Sequence, residues 1–285
     1  MVIISADSTC DLSPELIERY GVVISPLYII KDGREYKDGV EIHPKDIFEY
    51  VDTHGTLLKT AACSVADYEK LFGELTADGN TSVVHVTLSS HMSACYQNAC
   101  LAAENFDNVY VVDSLNLSTG SGHIVIEGAI MAQAGVEAKE IKRRLDELTP
   151  MVEASFVVDR LDYLHKGGRC SSVAALGANL LKLKPCIEVN NGKMSVGKKY
   201  KGSFEKTLKS YVADRLWNRD DIAYERIFIT HPACAPETVE VVRHMVEDEF
   251  GKFNQVHITT AGCTISNHCG PYTLGILFIR KPAEA

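Results

Sequence analysis

Residues 2–21 read VIISADSTCDLSPELIERYG, and this stretch decides the fold class. Its first residues, Val2–Ile4, form a short β-branched run of the kind found in buried parallel strands. Ser13-Pro14-Glu15 then marks a helix start, because serine caps helix N-termini, proline suits the first helical position and glutamate complements the helix dipole. The polar segment Asp7–Asp11 therefore follows the carboxyl end of a strand, where open α/β sheets bind ligands. It is consistent with a hydrogen-bonded turn or with part of a site.

The alternation of strand and helix continues through the first half of the chain. Extended runs occur at SVVHVTL and VYVVDS, and helical patterns at CYQNACLAAENF and SGHIVIEGAIMAQAG. This order is typical of βαβ units around a mainly parallel sheet. After Thr149-Pro150 the pattern changes to extended arms about an Asn191-Gly192 turn, which favours antiparallel strands. We predict an α/β protein of two domains, an N-terminal mainly parallel α/β sheet domain (residues 1–150) and a C-terminal α+β domain (residues 151–285).

Local turn and cap signals predict further elements. Asp32-Gly33 is a strong hairpin signal. One helix is expected after Pro44 and another after Ser64, whose spacing from Asp67 resembles a capping box.

Composition narrows the range of partners. The chain has 29 basic and 38 acidic residues, a net charge of -9, which opposes non-specific attraction to nucleic acid or to an anionic membrane. No apolar run approaches the length of a bilayer span, and no early basic segment precedes one. We therefore expect a soluble, cytoplasmic protein that binds no nucleic acid and does not insert stably into membranes.

The nine cysteines are scattered and include no C-x-x-C pair. A disulfide framework is therefore not expected. Near Cys263 and Cys269 the one other residue of metal-ligand type is His268, which gives a zinc site little support. We expect reduced thiols that act as small buried hydrophobes, no metal and no cofactor.

Three hydroxyl-rich turns stand where strands should end: DSTCDL, KTAACS and LSSHMSACY. In the last of these, Ser93 precedes a helix predicted to start near Ala94. Unpaired N–H groups at a helix N-terminus favour an anion, although Ser90 or Ser93 could equally serve as a cap.

Two further residues could contact a ligand. His268 stands just before Gly270-Pro271, a tight turn that can aim an imidazole into a cleft, and a satisfied core histidine fits the pattern equally well. Gly167 could end a helix in a left-handed conformation and leave Arg169 on a flexible loop. Arginine suits carboxylates and phosphates, while a solvated arginine at a helix end is the alternative.

Two enzymatic or nucleotide-binding alternatives remain open. Ser93 and His268 could form the reacting pair of an esterase or acyl-transfer enzyme, although no sequence signal supplies a third member. Gly120 and Gly122 follow a predicted strand, but Val125 replaces the third glycine of a dinucleotide-binding turn.

Taken together and in this order, several segments resemble the DegV family of bacterial fatty-acid-binding proteins. The resemblance implies a two-domain α/β protein that holds one long-chain fatty acid in a buried tunnel between or beside the domains. It also implies a role as the binding subunit of a fatty acid kinase, which phosphorylates the carboxyl group so that an acyl phosphate can enter phospholipid synthesis. Catalysis would then belong to the kinase partner. The segments are DSTCDLSPELIERYGV, PLYIIKDGREYKDGVEI, TLSSHMSACYQNA, VYVVDS, LDYLHKGGR, KLKPCIEVNNGKM and NHCGPYTLGILF.

The resemblance also implies roles for four residues. Thr60, Ser93 and His268 would hold the carboxyl group, and Arg169 would lie near it and face the kinase. DSTCDL would shape the crevice, with Asp7 and Ser8 bonded to neighbouring loops rather than to the ligand. Departures from the family pattern leave the preferred acyl chain open; they are Ala61, Ala62, Cys63, Ala94 and Cys95.

Overall fold

The structure, a computed structural model, describes residues 1–174 and 183–282. Residues 175–182 and 283–285, which belong to the predicted second domain, lie outside the described residues, as does Lys182 of the segment KLKPCIEVNNGKM.

The described residues contain thirteen strands and eleven α-helices. The strands are β1 (Val2–Asp7), β2 (Val23–Ser25), β3 (Tyr28–Lys31), β4 (Arg34–Lys37), β5 (Lys59–Ala61), β6 (Ser82–Thr87), β7 (Val109–Asp113), β8 (Val152–Val158), β9 (Leu183–Asn190), β10 (Lys193–Lys201), β11 (Ile222–His231), β12 (Gln255–Thr260) and β13 (Thr273–Arg280). The helices are α1 (Pro14–Tyr20), α2 (Pro44–His54), α3 (Val65–Leu75), α4 (Cys95–Ala103), α5 (Thr119–Gln133), α6 (Ala138–Leu148), α7 (Asp162–Gly167), α8 (Ser171–Ala174), α9 (Phe204–Leu216), α10 (Pro236–His244) and α11 (Cys263–Cys269).

The first sheet has the order β2-β1-β6-β7, and its strands are parallel. Ala6 of β1 pairs with Val86 of β6, so these two strands end side by side. Since the carboxyl ends of parallel strands meet at one edge, the DSTCDL and SSHMSACY turns become neighbours. The predicted parallel sheet is confirmed.

The second sheet has the order β10-β9-β8-β13-β11-β12. Its pairs are antiparallel except for β11 with β12. Asn191 and Gly192 join β9 to β10 with φ of 48° and 78°, as an Asn-Gly hairpin requires. The fold class is therefore confirmed, while the exact boundary near residue 150 stays a prediction.

A third, small sheet has the order β4-β3-β5. The Asp32-Gly33 hairpin joins β3 to β4 as predicted, and β5 lies on the other side of β3, where Thr60 pairs with Ile29. One apolar cluster packs this sheet against α2 and α11; its buried members are Ile29, Ile42, Ile47, Leu58 and Cys263. This packing brings a strand from the first quarter of the chain beside a helix near its end.

The predicted helix starts are also confirmed. The Ser13 hydroxyl accepts a hydrogen bond from the Leu16 N–H at 3.4 Å at the start of α1. At the start of α3, Ser64 and Asp67 form the expected capping box, in which each side chain accepts from the other residue's backbone.

The glycines at 120 and 122, which the sequence left as a weak nucleotide-binding alternative, lie in the first turns of α5. Both are buried in ordinary helical backbone. A Cβ at Gly122 would lie 2.8 Å from the Cys10 carbonyl oxygen. Gly122 is therefore explained by close packing of α5 on the DSTCDL turn, without a phosphate.

Two alanine substitutions test this packing. Gly73→Ala in α3 should stabilise the protein by about 0.5–1 kcal/mol, because alanine favours helix and the new Cβ would meet Phe106 at an ordinary 3.9 Å. Gly122→Ala should instead lower the free energy of unfolding by about 1 kcal/mol or more, because its Cβ meets backbone that cannot move freely. Urea unfolding of both variants measures the difference, and stabilisation by both would contradict the packing described.

Candidate functional site

Thr60 and His268 meet although 208 residues separate them in the chain. The Thr60 Oγ1 lies 3.0 Å from the His268 Nε2. Thr60 is held on the edge strand β5, and His268 lies in the last turn of α11. The packing of the small sheet on α11 therefore brings together two of the residues named by the sequence.

An inner cavity of about 240 Å³ lies beside this pair. All four predicted site residues line it: Thr60, Ser93, Arg169 and His268. Most of its other walls are apolar and come from both halves of the chain, among them Leu88, Met92, Leu117, Met194 and Ile265. The cavity is thus an apolar space with a few polar groups grouped together, the usual composition of a small-molecule site.

A rear cavity of about 30 Å³ continues the apolar space toward the second sheet. It shares Leu117, Ile265 and Cys269 with the inner cavity, and its far wall includes Phe156 and Leu277. These three shared residues place the two apolar spaces next to each other.

An outer cavity of about 610 Å³ lies on the other side of the pair. Thr60, Arg169 and His268 line both the inner and the outer cavity, and Lys59 and Lys166 add positive charge to the outer one. No carboxylate among the described residues lines it. The Thr60–His268 pair therefore stands between an apolar interior and a more polar, basic opening.

Ser93 lies in the same cavity wall but makes different contacts. Its Oγ accepts from the Cys95 N–H at 3.3 Å and lies 3.1 Å from the Cys95 Sγ. Ser93 thus pairs with the first N–H of α4, although the N-cap residue itself is Ala94, whose side chain makes no cap hydrogen bond. Among the hydrogen bonds of the described residues none joins Ser93 to His268, whose Nε2 faces Thr60.

Three of the departures from the family pattern also border the inner cavity. Ala61, Ala62 and Ala94 line the inner cavity, while Cys63 and Cys95 are buried beside it. Small side chains at the first three positions leave room near the Thr60–His268 pair.

The His268 imidazole is neutral at neutral pH. Burial, with a smaller contribution from the Arg169 guanidinium, lowers the pKa of His268 to about 4. Its Nδ1 is enclosed and has no hydrogen-bond partner among the described residues. A Cβ at Gly167 would lie 2.6 Å from this Nδ1, so only glycine lets α7 approach the ring so closely.

Arg169 is exposed at the entrance, and one detail of its loop differs from the prediction. Gly168, with φ of 68°, takes the left-handed conformation that ends α7, whereas Gly167 is the last helical residue. The Arg169 guanidinium donates to the Gly167 carbonyl oxygen at 2.8 Å. This bond keeps the side chain at the boundary between the inner and outer cavities.

Two buried carboxylates hold the start of α11, and the sequence did not single out either for this role. Asp11 accepts from the Gly262 N–H at 2.8 Å, and Asp38 accepts from the N–H groups of Cys263 and Thr264 at 2.8 and 3.0 Å. Burial raises the pKa of Asp11 to about 8, although hydrogen bonds from Ser118 and Gly262 oppose the rise.

Residues of the polar segment Asp7–Asp11 also hold neighbouring elements together through hydrogen bonds. Asp7 accepts from the Tyr68 hydroxyl at 2.7 Å and from the Leu88 N–H at 2.8 Å, and the Ser8 hydroxyl accepts from the Leu27 N–H at 3.1 Å. The prediction that Asp7 and Ser8 bond to neighbouring loops is confirmed.

The described residues hold no group of three or more histidine, cysteine or acidic side chains arranged to bind a metal ion. All nine cysteines are unpaired. Within residues 1–174 and 183–282, no helix combines the length and the apolar character needed to cross a bilayer.

Comparison with known proteins supplies the family. The family described as "Uncharacterised protein, DegV family" matches residues 1–281. The chain belongs to the DegV family. A DegV domain-containing protein of Clostridium acetobutylicum is 28% identical over 282 residues, which cover 98% of both chains.

Solved DegV structures share the whole fold. A DegV family protein from Thermus thermophilus, described by its fatty acid binding, is 27% identical with a TM-score of 0.88 over 98% of this chain and 99% of its own. A DegV lipid-binding protein from Thermotoga maritima is 28% identical with a TM-score of 0.85 over 98% of each chain. A stearic acid-binding protein from Eubacterium ventriosum is 27% identical with a TM-score of 0.83 over 99% of each.

The low pKa of His268 makes stability depend on pH. Between its ordinary pKa of 6.5 and its folded value of about 4, the unfolded chain binds a proton that the folded protein excludes. The contribution that His268 makes to stability above pH 6.5 is therefore lost as pH falls toward 4. His268→Gln should reduce this loss without abolishing it, because burial also lowers the pKa of His123, to about 3. Urea unfolding from pH 4 to 7 measures it, and identical pH dependence in both proteins would contradict the assignment.

Proposed function

We propose that this DegV family protein binds one long-chain fatty acid. Thr60, Ser93 and His268 hold the carboxyl group, and the inner and rear cavities hold the hydrocarbon tail. The observation that carries the proposal is the placement of these three polar residues together on an otherwise largely apolar cavity. The fatty acid and lipid binding of the relatives from Thermus, Thermotoga and Eubacterium supports it.

The tail provides most of the affinity. Burial of an aliphatic chain gains about 0.8 kcal/mol for each methylene, so a chain of roughly fifteen methylenes gains on the order of 10 kcal/mol before the costs of ordering are subtracted. Leu117, Ile265 and Cys269 line both cavities, so the tail would run past these residues toward the second sheet.

The head group needs donors, because a carboxyl group loses several kcal/mol on burial without hydrogen bonds. The Thr60 and Ser93 hydroxyls can each donate one proton, and a neutral imidazole donates from one nitrogen. A bound carboxylate would also favour protonation of His268, because an opposite charge nearby raises the pKa of a histidine. The site therefore suits a carboxyl group better than a neutral head group.

We further propose that the protein presents the carboxyl group to a fatty acid kinase, which forms an acyl phosphate for phospholipid synthesis. In this role the chain itself catalyses no reaction and acts in the cytoplasm. The outer cavity supports the proposal, because it reaches Thr60 and His268 from the side opposite the tail and carries Arg169 at its edge. Arg169 would then contact the kinase or the transferred phosphate.

Ligand binding tests the first proposal. Protein purified without denaturant should carry a fatty acid that mass spectrometry detects after organic extraction. Thr60→Ala and His268→Ala should each weaken binding of palmitate about tenfold or more, since each removes a hydrogen bond to a charged group. Fluorescence titration of delipidated protein measures the affinity.

Empty extracts, together with no saturable binding of any long-chain acid, would contradict the proposal. Treatment of the same preparation with a serine-reactive phosphonate tests the esterase alternative. Covalent labelling that is lost in Ser93→Ala would favour an enzyme, whereas weaker fatty acid binding without labelling supports a carrier.

Arg169→Ala tests the kinase role separately. This exposed side chain lies at the cavity edge, so we expect palmitate affinity to change less than about threefold and phosphorylation by a fatty acid kinase catalytic subunit to fall about tenfold or more. Arg243→Ala on α10, which lines none of the cavities described, is the matched control and should leave both unchanged. Normal phosphorylation of the Arg169→Ala protein would contradict the assigned role.

A further inference from the structure

Asn267 immediately precedes His268 in α11 and is fully buried. Both polar atoms of its side chain bond to the backbone of one residue, Leu58. The Asn267 Oδ1 accepts from the Leu58 N–H at 3.1 Å, and the Asn267 Nδ2 donates to the Leu58 carbonyl oxygen at 2.9 Å. The side chain thus pairs with Leu58 in the way that a neighbouring strand would.

This pairing fixes position in a way that apolar packing cannot. The cluster of Ile29, Ile47, Leu58 and Cys263 holds the small sheet against α11, but hydrophobic contact has no preferred direction. Asn267 donates one hydrogen bond to the Leu58 backbone and accepts another from it. Together the two bonds fix where Leu58 lies relative to α11 and how its peptide groups are oriented. Leu58 is buried, so any displacement would leave its N–H or carbonyl group unpaired at a cost.

Both ends of the pairing lie close to the head-group residues. Thr60 follows Leu58 by two residues, and residues two apart in an extended segment point to the same face. His268 follows Asn267 directly in the helix. The 3.0 Å contact between the Thr60 Oγ1 and the His268 Nε2 is therefore connected to the Asn267–Leu58 pairing by a short length of backbone on each side.

We propose that Asn267 is the positioning residue of the carboxyl site, because its paired hydrogen bonds to Leu58 set the spacing between Thr60 and His268. The inference rests on the proposed fatty acid binding. Asn267 does not line the inner cavity, so it acts on the head group only through its neighbours. Its effect should therefore depend on His268 and should not depend on the length of the tail.

A double-mutant cycle tests this dependence. Asn267→Leu keeps a similar side-chain volume and removes both hydrogen bonds. We expect it to weaken binding of laurate, palmitate and stearate by the same factor of about ten. In a His268→Ala background the same substitution should weaken binding less than about twofold, because the group that it positions is already gone.

Two further proteins serve as controls. Asn108→Leu removes the hydrogen bond from the Asn108 Nδ2 to the Thr81 carbonyl oxygen, away from the cavities, and should lower stability without changing affinity. Asn267→Gln keeps both polar atoms but displaces them by one methylene, so it should also weaken binding. If Asn267→Leu does not fold, Asn267→Gln replaces it in the same assays.

A measurement without ligand separates the two proposals. NMR titration of the ring protons should place the His268 pKa near 4 in the unsubstituted protein and closer to its ordinary value in Asn267→Leu, because a displaced ring gains contact with water. Unchanged affinity and an unchanged titration, or an equal loss of affinity with and without His268, would overturn the positioning role. No binding by the unsubstituted protein, with the titration still shifted in Asn267→Leu, would overturn the fatty acid proposal alone.

Discussion

Three N–H groups at the start of α11 donate to the buried carboxylates of Asp11 and Asp38, and the whole site depends on this contact. A helix N-terminus carries a partial positive charge that favours electronegative oxygens there, and the three N–H groups satisfy carboxyl oxygens that water cannot reach. Asp11 follows the first strand, and Asp38 follows the small hairpin. The contact therefore fastens a helix from the end of the chain to its beginning and closes the space in which the inner cavity lies.

Burial has opposite uses in the two parts of the site. In the interior it removes apolar walls from water and leaves a space that an aliphatic chain fills well. Beside Thr60 it keeps His268 uncharged, because desolvation penalises the imidazolium. In the proposed function, this neutral ring would become a stronger donor once a carboxylate bound beside it. The basic residues that line the outer cavity create a positive potential there, which favours an anionic group without the cost of a buried charge.

Local signals predicted much of the fold. The parallel sheet, the Asp32-Gly33 and Asn191-Gly192 hairpins and the caps at Ser13 and Ser64 each depend on residues a few positions apart, and each is confirmed. Gly122 left a nucleotide-binding alternative open, because close helix packing and a phosphate-binding turn demand the same residue. Thr60 was indicated only by family resemblance. Asp38 and Asn267 find their partners 209 or more residues away, and no local pattern records such contacts.

A crystal structure of the delipidated protein with 16-bromopalmitate tests the central claim most directly, since anomalous scattering locates the end of the tail independently of the carboxyl group. We predict that the carboxyl oxygens lie within hydrogen-bond distance of Thr60 and His268. The bromine should lie at or beyond Leu117, Ile265 and Cys269, the residues that line both the inner and the rear cavity. A bromine in the outer cavity, or a ligand elsewhere with the inner cavity collapsed, would contradict the account.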